Sequence, residues 1–376
     1  MKIDQFLWTD PIGWDRSLSE SPLARDAQLV LAFGSGRIFS EQNGPTALSA
    51  AFPNAHIVGC STGGEILGAR VLDGSIAVTA LQLEHGGVKV ARTRIDRADS
   101  SYAAGQELVR HLDPQGLRHV VVLSEGLLVN SSELVDGINA AVPRGVSVTG
   151  GFAADSNNLQ VTHVWCDGEP ESTAAVAIGL YSERLKVGFA ASGGWGPFGP
   201  NRLITWSRKN VLYEFDGRPA LSLYKQYLGE HAAGLPATGL MFPLELRTGH
   251  GTGRVLRALL AVDEKEQSIT FAGNVPEGAT ARFMVGHIED LIEGTLAAAQ
   301  VAKGQVVPEF SLIVSCNARR AVLKQRVEEE TEAVCEVLQA GKFTGFYSYG
   351  EIGPPTPGAA AELHNETLTI TTFTEA

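Results

Sequence analysis

Apolar runs and helix-like segments alternate along this chain, and their order repeats three times. A short apolar run indicates a buried strand, whereas apolar residues three to four positions apart indicate a helix. Each unit begins with a strand candidate, at 29–33, 119–123 and 312–316. A helix candidate follows in each unit, at 45–52, 131–141 and 327–339. The pattern therefore predicts an internally repeated chain.

A run of small residues follows the second strand of each unit and ends in an acid. The three runs are 59–66 (GCSTGGEI), 148–155 (VTGGFAAD) and 345–352 (GFYSYGEI). Such a bare backbone either packs closely against another backbone or lets a ligand approach the main chain. A shift of 90 residues between the first two units places Asp155 level with Glu65, and Glu351 takes the same position in the third.

Further apolar runs come in pairs and predict hairpins, at 75–81 with 88–91 and at 173–180 with 185–188. Because hairpins accompany helices here, a purely parallel sheet is disfavoured. The predicted fold class is α/β, with mixed sheets that contain hairpins, helices on the outer faces, and strand–helix–strand–hairpin repeats in two related domains. The predicted divisions are an N-terminal arm at 1–26, a first domain at 27–220 with repeats at about 27–97 and 118–192, and a second domain at 221–376.

Composition and charge narrow the class of protein. The net charge of −12 over 376 residues leaves no basic surplus for binding the phosphate backbone of nucleic acids. No apolar run approaches the ~20 residues that a membrane-spanning helix needs, and the start does not read as a signal peptide. The four cysteines contain no Cys-x-x-Cys pair. We therefore expect a cytoplasmic protein that binds neither nucleic acid nor membrane.

Several segments resemble the FIST family, whose sensory proteins carry an N-terminal and a C-terminal FIST domain. The resemblance rests on the Gly194-Trp195 loop and on segments at 59–66, 216–220, 314–316, 345–352 and 363–369. One departure is that Asn317-Ala318 stand where the family pattern has valine and glycine, although Arg319 follows as the pattern requires.

The resemblance implies a bacterial input module that binds a small ligand and regulates a signalling protein. The nitric-oxide-sensing members bind haem b and act on a histidine kinase, a diguanylate cyclase or a phosphodiesterase. Two versions of the ligand stay open, namely haem with nitric oxide and an amino-acid-like metabolite bound without haem. In both versions we expect the protein to bind its ligand and not to act as an enzyme.

The candidate ligand-binding residues lie in the small-residue runs and the family motifs. They are Cys60, Ser61, Thr62, Glu65, Ser315, Cys316, Arg319, Tyr347, Tyr349, Glu351, His364 and Asn365. The repeated acids could grip an amino group, or could accept hydrogen bonds from a turn that each repeat makes. Arg319 and Arg320 could fix a carboxylate or a haem propionate, or could lie at the surface where a helix begins.

Haem binding would require a proximal histidine, an apolar slot and cations for the propionates. The candidates for the iron ligand are His364 in a family motif, His287 at a helix start and His250 in a glycine-flanked loop. The alternative for His364, which we favour over iron ligation, is a hydrogen bond that anchors the last strand.

Two other classes of function compete with the sensor. An enzyme would use the thiol of Cys60 or Cys316 with a carboxylate, but the chain has no recognisable nucleophile–base motif. The alternative for Cys60 is packing as a small apolar residue at a strand end. A scaffold would bind protein through the Gly194-Trp195 loop without any small ligand.

Overall fold

The structure is a computed structural model, and it describes residues 1–156, 159–247, 254–339, 341–356 and 358–375. The α-helices in these ranges are α1 (Gly36–Glu41), α2 (Gly44–Ala51), α3 (Ser101–Arg110), α4 (Ser131–Ala141), α5 (Ala220–Leu228), α6 (Ile288–Gln305), α7 (Asn317–Leu323) and α8 (Val327–Leu338). Short 3-10 helices lie at Leu18–Glu20, Ala98–Ser100, Gly229–Gly234, Ala237–Met241 and Lys324–Arg326. The helix predicted at 131–141 is confirmed as α4. The side chain of Asn130 caps it by accepting a hydrogen bond from the backbone N–H of Glu133 at 3.1 Å.

The strands fall into three groups along the chain. The first group is β1 (Lys2–Thr9), β2 (Gly13–Trp14), β3 (Leu29–Gly34), β4 (His56–Cys60), β5 (Glu65–Leu67), β6 (Arg70–Leu72), β7 (Ser75–Gln82), β8 (Gly86–Arg94), β9 (His119–Ser124), β10 (Ser147–Phe152), β11 (Val164–Cys166), β12 (Ala174–Ser182) and β13 (Leu185–Ser192). The second is β14 (Trp195–Arg208), β15 (Val211–Phe215), β16 (Arg218–Pro219), β17 (Leu244–Arg247), β18 (Arg254–Arg257), β19 (Leu259–Asp263), β20 (Ser268–Phe271) and β21 (Thr280–Gly286). The third is β22 (Phe310–Cys316), β23 (Lys342–Ser348), β24 (Glu351–Gly353), β25 (Glu362–His364) and β26 (Leu368–Glu375).

Three six-stranded sheets share one plan. Their strand orders are β11-β4-β3-β7-β1-β2 in the first sheet, β25-β24-β10-β9-β12-β8 in the second and β13-β26-β22-β23-β5-β6 in the third. In each sheet the two strands of one repeat are parallel, as β3 is to β4, β9 to β10 and β22 to β23. The next long strand, β7, β12 or β26, lies antiparallel to the first strand of that pair. The repeats read from the sequence are therefore repeats of structure.

Strands that follow one another in the sequence can lie in different sheets. The predicted hairpins differ in this respect, because β7 does not pair with β8 and β12 does not pair with β13. Both edges of β7 are occupied by β3 and β1, so β8 pairs with β12 in the second sheet. Both edges of β12 are likewise occupied, and β13 pairs with β26 in the third sheet. The segment at 2–9, expected within a covering arm, is strand β1 of the first sheet.

Three glycines bring the parallel strands of each repeat unusually close. We call Gly59, Gly150 and Gly345 the close-approach glycines, since each pairs with the first strand of its own repeat. A Cβ at these positions would lie 1.7 Å from the Ala32 carbonyl oxygen, 1.9 Å from that of Val122 and 1.8 Å from that of Ile313, respectively. Only a residue without a side chain fits such an approach. Gly150 lies one position later than the sequence shift of 90 predicts.

One core is shared by all three sheets, and helices cover their outer faces. Leu31, Val121 and Leu312 belong to the same buried cluster although they lie in three different sheets. Helices α1 and α2 pack on the first sheet, α3 and α4 on the second, and α6 and α8 on the third. The predicted α/β class with mixed sheets and outer helices is confirmed.

A separate antiparallel sheet lies between the second and third repeats in the sequence. Its order is β18-β17-β21-β14-β15-β20-β19, with β16 on β15, and α5 packs on its buried face. The strands β14 and β15 precede residue 220 and pair with β21 and β20, which follow it. The domain division at 220 stays a prediction. Within the described ranges, no helix has the length and apolar character needed to cross a membrane.

Candidate functional site

Most of the predicted ligand-binding residues are buried. The buried ones are Cys60, Ser61, Thr62, Glu65, Ser315, Cys316, Arg319, Tyr347, Glu351, His364 and Asn365, while Tyr349 is half-buried. They lie where the strands of the repeats end, and the backbone of the loops joins them. The N–H of Gly63, for example, donates to the carbonyl of Tyr347 at 2.7 Å.

Glu65 lies in a cradle of hydroxyl groups. Its carboxyl group accepts hydrogen bonds from the hydroxyl of Thr62 at 2.5 Å and from the hydroxyl and backbone N–H of Ser75 at 2.6 and 3.2 Å. Burial raises the pKa of Glu65 to about 7, although these donors favour the ionised form. The carboxyl group therefore ties the loop after β4 to the start of β7.

Glu351 lies in a second cradle of the same design. Its carboxyl group accepts from the hydroxyl of Ser348 at 2.6 Å and from the hydroxyl and backbone N–H of Thr367 at 2.7 and 3.3 Å. Burial raises the pKa of Glu351 to about 8, against the effect of the same donors. Both acids match the hydrogen-bonded turn that the sequence offered as an alternative to ligand contact.

The corresponding position of the second repeat is apolar. Val164, Glu65 and Glu351 hold equivalent positions, because each pairs with the residue that follows a close-approach glycine. Val164 does so in the first sheet, Glu351 in the second and Glu65 in the third. Ala153 and Ala174 stand where the other cradles have hydroxyl residues, and all three residues belong to the shared core. The backbone arrangement is therefore the same in all three repeats, whereas the side chains at the cradle position of the second repeat are apolar.

Asp155 does not occupy the position of Glu65, and the alignment predicted for it was wrong. Its carboxylate accepts from the backbone N–H groups of Leu159, Gln160 and Val161 at 2.9, 2.9 and 3.1 Å, and from the hydroxyl of Tyr349. Fourteen positions separate Gly150 from Val164, whereas six separate Gly59 from Glu65 and Gly345 from Glu351. Asp155 therefore lies inside this longer segment, whose backbone N–H groups it binds.

We expect the free energy of unfolding to fall as the pH rises from 5 to 8. Glu65 and Glu351 keep a proton in the folded state up to about 7 and 8, whereas their unfolded pKa is 4.5. The folded state therefore binds more protons in this window, and stability decreases with pH. Urea unfolding at both pH values should give a loss of about 1 kcal/mol or more, since one pKa unit corresponds to about 1.4 kcal/mol.

Glu351→Gln should flatten this pH dependence, because the amide does not titrate. Glu183 is exposed and serves as the matched control. Glu183→Gln should keep the wild-type slope, and an unchanged slope in Glu351→Gln would contradict the cradle interpretation.

Arg319 is fully used inside the protein. Its guanidinium forms a buried ion pair with Glu330 at 2.6 Å and donates to the carbonyls of Gly193 and Leu291. Arg320 forms an ion pair with Asp73 at 2.6 Å. Within the described part of the chain, both guanidinium groups are thus already paired with a carboxylate of the protein.

The thiols of Cys60 and Cys316 are buried in the core. Burial raises the pKa of Cys60 well above its ordinary value, and burial together with nearby Glu351 and Glu366 raises that of Cys316. A nucleophilic cysteine needs a lowered pKa and access to its substrate. Both thiols have the environment of packing residues.

Two of the three histidines predicted as iron ligands, His364 and His287, are described, and their surroundings do not fit haem. Nε2 of His364 lies 2.9 Å from the carbonyl of Gly353, and the cavity beside the ring is also lined by the carboxylates of Glu245 and Glu362. Such carboxylates would face haem propionates of the same charge. His287 is exposed at the start of α6, and His250 lies outside the described residues.

Asn365 lies in the turn between β25 and β26. Within the described part of the chain, its buried amide group has no hydrogen-bond partner, and neither has the buried carboxyl group of the next residue, Glu366. Burial raises the pKa of Glu366 well above its ordinary value. This turn carries buried polar groups without an assigned use.

Sequence reasoning missed the most unusual cation of the structure, Arg257 on β18. Its residue is only 7% exposed, yet its guanidinium donates only to backbone carbonyls, those of Asn274 at 3.0 Å, Leu256 at 2.9 Å and Leu363 at 3.2 Å. Among the described residues Nη2 has no partner, and no carboxylate lies within ion-pair distance. Burial lowers the pKa of Arg257 to about 10. A buried charge is costly unless it is paired, and Glu362 and Asp136 favour the charged form of Arg257 only from beyond ion-pair distance.

Arg257 lines a cavity of about 300 Å³, which we call the Arg257 cavity. Its lining comes from α4, the antiparallel sheet and the segment around β25: Ser132, Val135, Asp136, Leu246, Val255, Arg257, Asn274, Pro276, Ala361, Glu362 and Leu363. Asp136 lies exposed at the rim and Glu362 is half-buried, and neither carboxyl group has a hydrogen-bond partner among the described residues. A charged residue inside the apolar run 255–259 was the one sequence signal for this site.

Two family models together match most of the chain. The FIST N domain model matches residues 28–218, and the FIST C domain model matches residues 220–354. The chain belongs to the FIST family. FIST domains are sensory domains that bind small ligands in signalling proteins. The Arg257 cavity of this FIST protein is lined by residues from both matched regions, on α4 and on β18.

Relatives of this FIST protein include uncharacterized mycobacterial proteins. One from Mycobacterium bovis and one from Mycobacterium tuberculosis are each 26% identical over 256 residues, which cover 65% of this chain and 64% of the relative. Another from Mycobacterium tuberculosis is 24% identical over 254 residues, 65% of each chain. The match thus spans less than two thirds of the length of these relatives.

Among solved structures, a cyanuric acid hydrolase from A. caulinodans aligns over 99% of this chain and 98% of its own. Its TM-score is 0.36 and its sequence identity is 10%. A likeness at this level carries no conclusion about a reaction.

Proposed function

We propose that this FIST protein is a sensor that binds an amino-acid-like zwitterion in the Arg257 cavity. The observation that carries the proposal is the buried guanidinium of Arg257, which faces a cavity and has no carboxylate partner among the described residues. A ligand carboxylate would accept the hydrogen bonds that Nη2 leaves unmade. Charge-assisted bonds of this kind are about twice as strong as neutral ones.

The rest of the cavity suits the other end of such a ligand. The carboxyl groups of Asp136 and Glu362 can hold an ammonium group, and both lie in the field of Arg257. Val135, Leu246 and other apolar residues supply walls for an aliphatic side chain. A volume of about 300 Å³ lies at the lower end of the range for ligand cavities. The cavity therefore favours a small metabolite over haem.

The position of the cavity supports a signalling role. Its walls belong to the second repeat, the antiparallel sheet and the β25 segment, so a bound ligand would contact three parts of the fold at once. A ligand shifts a conformational equilibrium by its difference in affinity for the two states. We propose that the ligand-bound state changes contact with a signalling protein such as a histidine kinase, a diguanylate cyclase or a phosphodiesterase, in the cytoplasm.

We further propose that the protein binds its ligand without transforming it. The thiols that an enzyme would use, those of Cys60 and Cys316, are buried and have raised pKa values. Among the described residues, no cysteine lines the Arg257 cavity. Uniformly slow labelling of all thiols by a mild electrophile at neutral pH would support this view.

We expect L-alanine or L-leucine to raise the melting temperature of the wild-type protein in a concentration-dependent way. Asp136→Asn should weaken this binding about tenfold or more, because a charged hydrogen bond to the ammonium group contributes about 1.5–3 kcal/mol. Asp136 is exposed, so its replacement should leave the fold intact. Calorimetric titration of each amino acid gives the affinity.

Glu183→Gln is the control, because Glu183 is exposed and does not line the cavity. It should bind L-alanine and L-leucine as the wild type does. N-acetyl-L-alanine, which lacks the ammonium group, should not bind, and equal binding would contradict the role of Asp136. Failure of all amino acids, together with a stoichiometric Soret band that disappears in His364→Ala, would favour the haem sensor instead.

A further inference from the structure

A second cavity lies on the other side of the wall that β18 and β25 form. Along β18, Leu256 lines this second cavity, whereas its neighbours Val255 and Arg257 line the first. The volume is about 520 Å³, and its walls include the loop before β14 and the segment before β25. We call it the Trp195 cavity. Of the lining residues, only Glu362 is common to both cavities.

The floor of the Trp195 cavity presents hydrogen-bond acceptors. His364 is 6% exposed, and its Nε2 lies 2.9 Å from the carbonyl of Gly353, so that nitrogen carries the proton. Nδ1 therefore bears a lone pair, and it has no partner among the described residues. Thr367 uses its hydroxyl proton on Glu351, which leaves the lone pairs of that oxygen as acceptors.

Two carboxyl groups and the guanidinium of Arg254 line this cavity. Glu245 has a side chain only 8% exposed and accepts a hydrogen bond from Nε of Arg247 at 2.7 Å. Glu362 adds a second carboxyl group. Arg254 lies 3.8 Å from Glu245, but its side chain is largely exposed. The inner surface therefore offers acceptors to a ligand, and the carboxyl group of Glu362 forms no ion pair among the described residues.

An apolar wall completes the cavity. The indole of Trp195 is fixed because its Nε1–H donates to the carbonyl of Glu366 at 2.6 Å. Leu256 and Met284 line the cavity beside it and belong to the same apolar cluster. An aromatic wall next to carboxylates is a common environment for organic cations, which interact with both.

We propose that the Trp195 cavity is a binding site for an organic cation, an ammonium or guanidinium group carried on an apolar body. The cation would contact Glu245 and Glu362, its N–H groups would donate to Nδ1 of His364, and its apolar part would pack on Trp195. A metal ion is a poorer candidate, because the described residues include no group of three or more side chains suited to hold one. This site is additional to the zwitterion site and does not rest on it.

The test uses 2-phenylethylamine as the probe and 2-phenylethanol as its neutral analogue, titrated calorimetrically into the full chain. We expect saturable binding of the amine and binding at least about tenfold weaker for the alcohol, which lacks the charge. Glu245→Gln keeps the shape of the side chain and removes its charge. It should weaken amine binding about tenfold while leaving binding of the alcohol unchanged.

Substitutions at two neighbouring residues test the two cavities independently. Leu256→Trp fills the Trp195 cavity and should abolish amine binding, with L-alanine binding kept within about twofold of the wild type. Val255→Trp fills the Arg257 cavity. It should abolish L-alanine binding and keep amine binding within about twofold of the wild type. Thermal unfolding of each variant verifies that it is folded before titration.

Several results would overturn the proposal. They are undetectable amine binding to the folded wild type, equal binding of the amine and the alcohol, and amine binding that persists in Leu256→Trp or is lost in Val255→Trp. If L-alanine fails to bind while the amine binds as described, the zwitterion site fails and the cation site stands.

Discussion

Gly59→Ala is expected to destabilise the protein by more than about 4 kcal/mol, or to prevent folding. A Cβ on Gly59 would lie 1.7 Å from the carbonyl oxygen of Ala32 and 2.5 Å from Nε1 of Trp165. The first contact is with the backbone of the paired strand β3, which cannot rotate away as a side chain can. Strands β3 and β4 would have to separate, and both belong to the core shared by three sheets.

Gly87→Ala is the matched control for this substitution. Gly87 lies on β8, another strand of the repeats, and no atom of the described residues lies within 4 Å of a Cβ built there. The control should change the free energy of unfolding by about 0.5 kcal/mol or less. Urea unfolding followed by circular dichroism measures both variants. If Gly59→Ala matched the control, the close approach of the strands would not be a requirement of the fold.

Glu330→Gln is expected to destabilise the protein by about 3–5 kcal/mol, because it leaves Arg319 as a buried charge without its counter-ion. The side chains of both residues are 0% exposed, and their closest atoms lie 2.6 Å apart. The other oxygen of Glu330 accepts from the hydroxyls of Ser315 and Tyr347 at 2.8 and 2.9 Å. The amide retains part of this network but not the charge that Arg319 requires.

Glu332 lies on the same helix, α8, and is exposed, so Glu332→Gln is the control. Its free energy of unfolding should stay within about 0.5 kcal/mol of the wild type. Urea unfolding at constant pH checks both variants. A loss below about 1 kcal/mol in Glu330→Gln would mean that water or another group replaces the carboxylate.

This ion pair also has a bearing on the Trp195 cavity. The guanidinium of Arg319 holds the carbonyls of Ser192 and Gly193, which line that cavity. Weakening the pair would free the loop before Trp195. Arg319, chosen from the sequence as a ligand contact, thus lies behind the wall of a cavity.

The local pattern of apolar and polar residues by itself determined the helices, the repeats and the family of this protein. Apolar spacing predicted the helices, as in α4 and α8, because each helix buries one face and shows that period regardless of its neighbours. The repeat was visible because three segments must fit the same strand–helix–strand geometry, with a glycine at each close approach. The family followed from the same segments, since they carry its motifs.

Only the tertiary structure decided how the strands pair and where the cavities lie. The partner of β8 is β12, and that of β13 is β26, and no local pattern of residues encodes such distant neighbours. A longer segment after Gly150 puts Val164 and not Asp155 at the cradle position, because fourteen positions separate Gly150 from Val164 whereas six separate Gly59 from Glu65. Arg257, Asp136 and Glu362 come from separate parts of the chain and become a site only when α4, β18 and β25 meet. Local sequence therefore determines the helices and strands, whereas the cavities depend on contacts between distant segments.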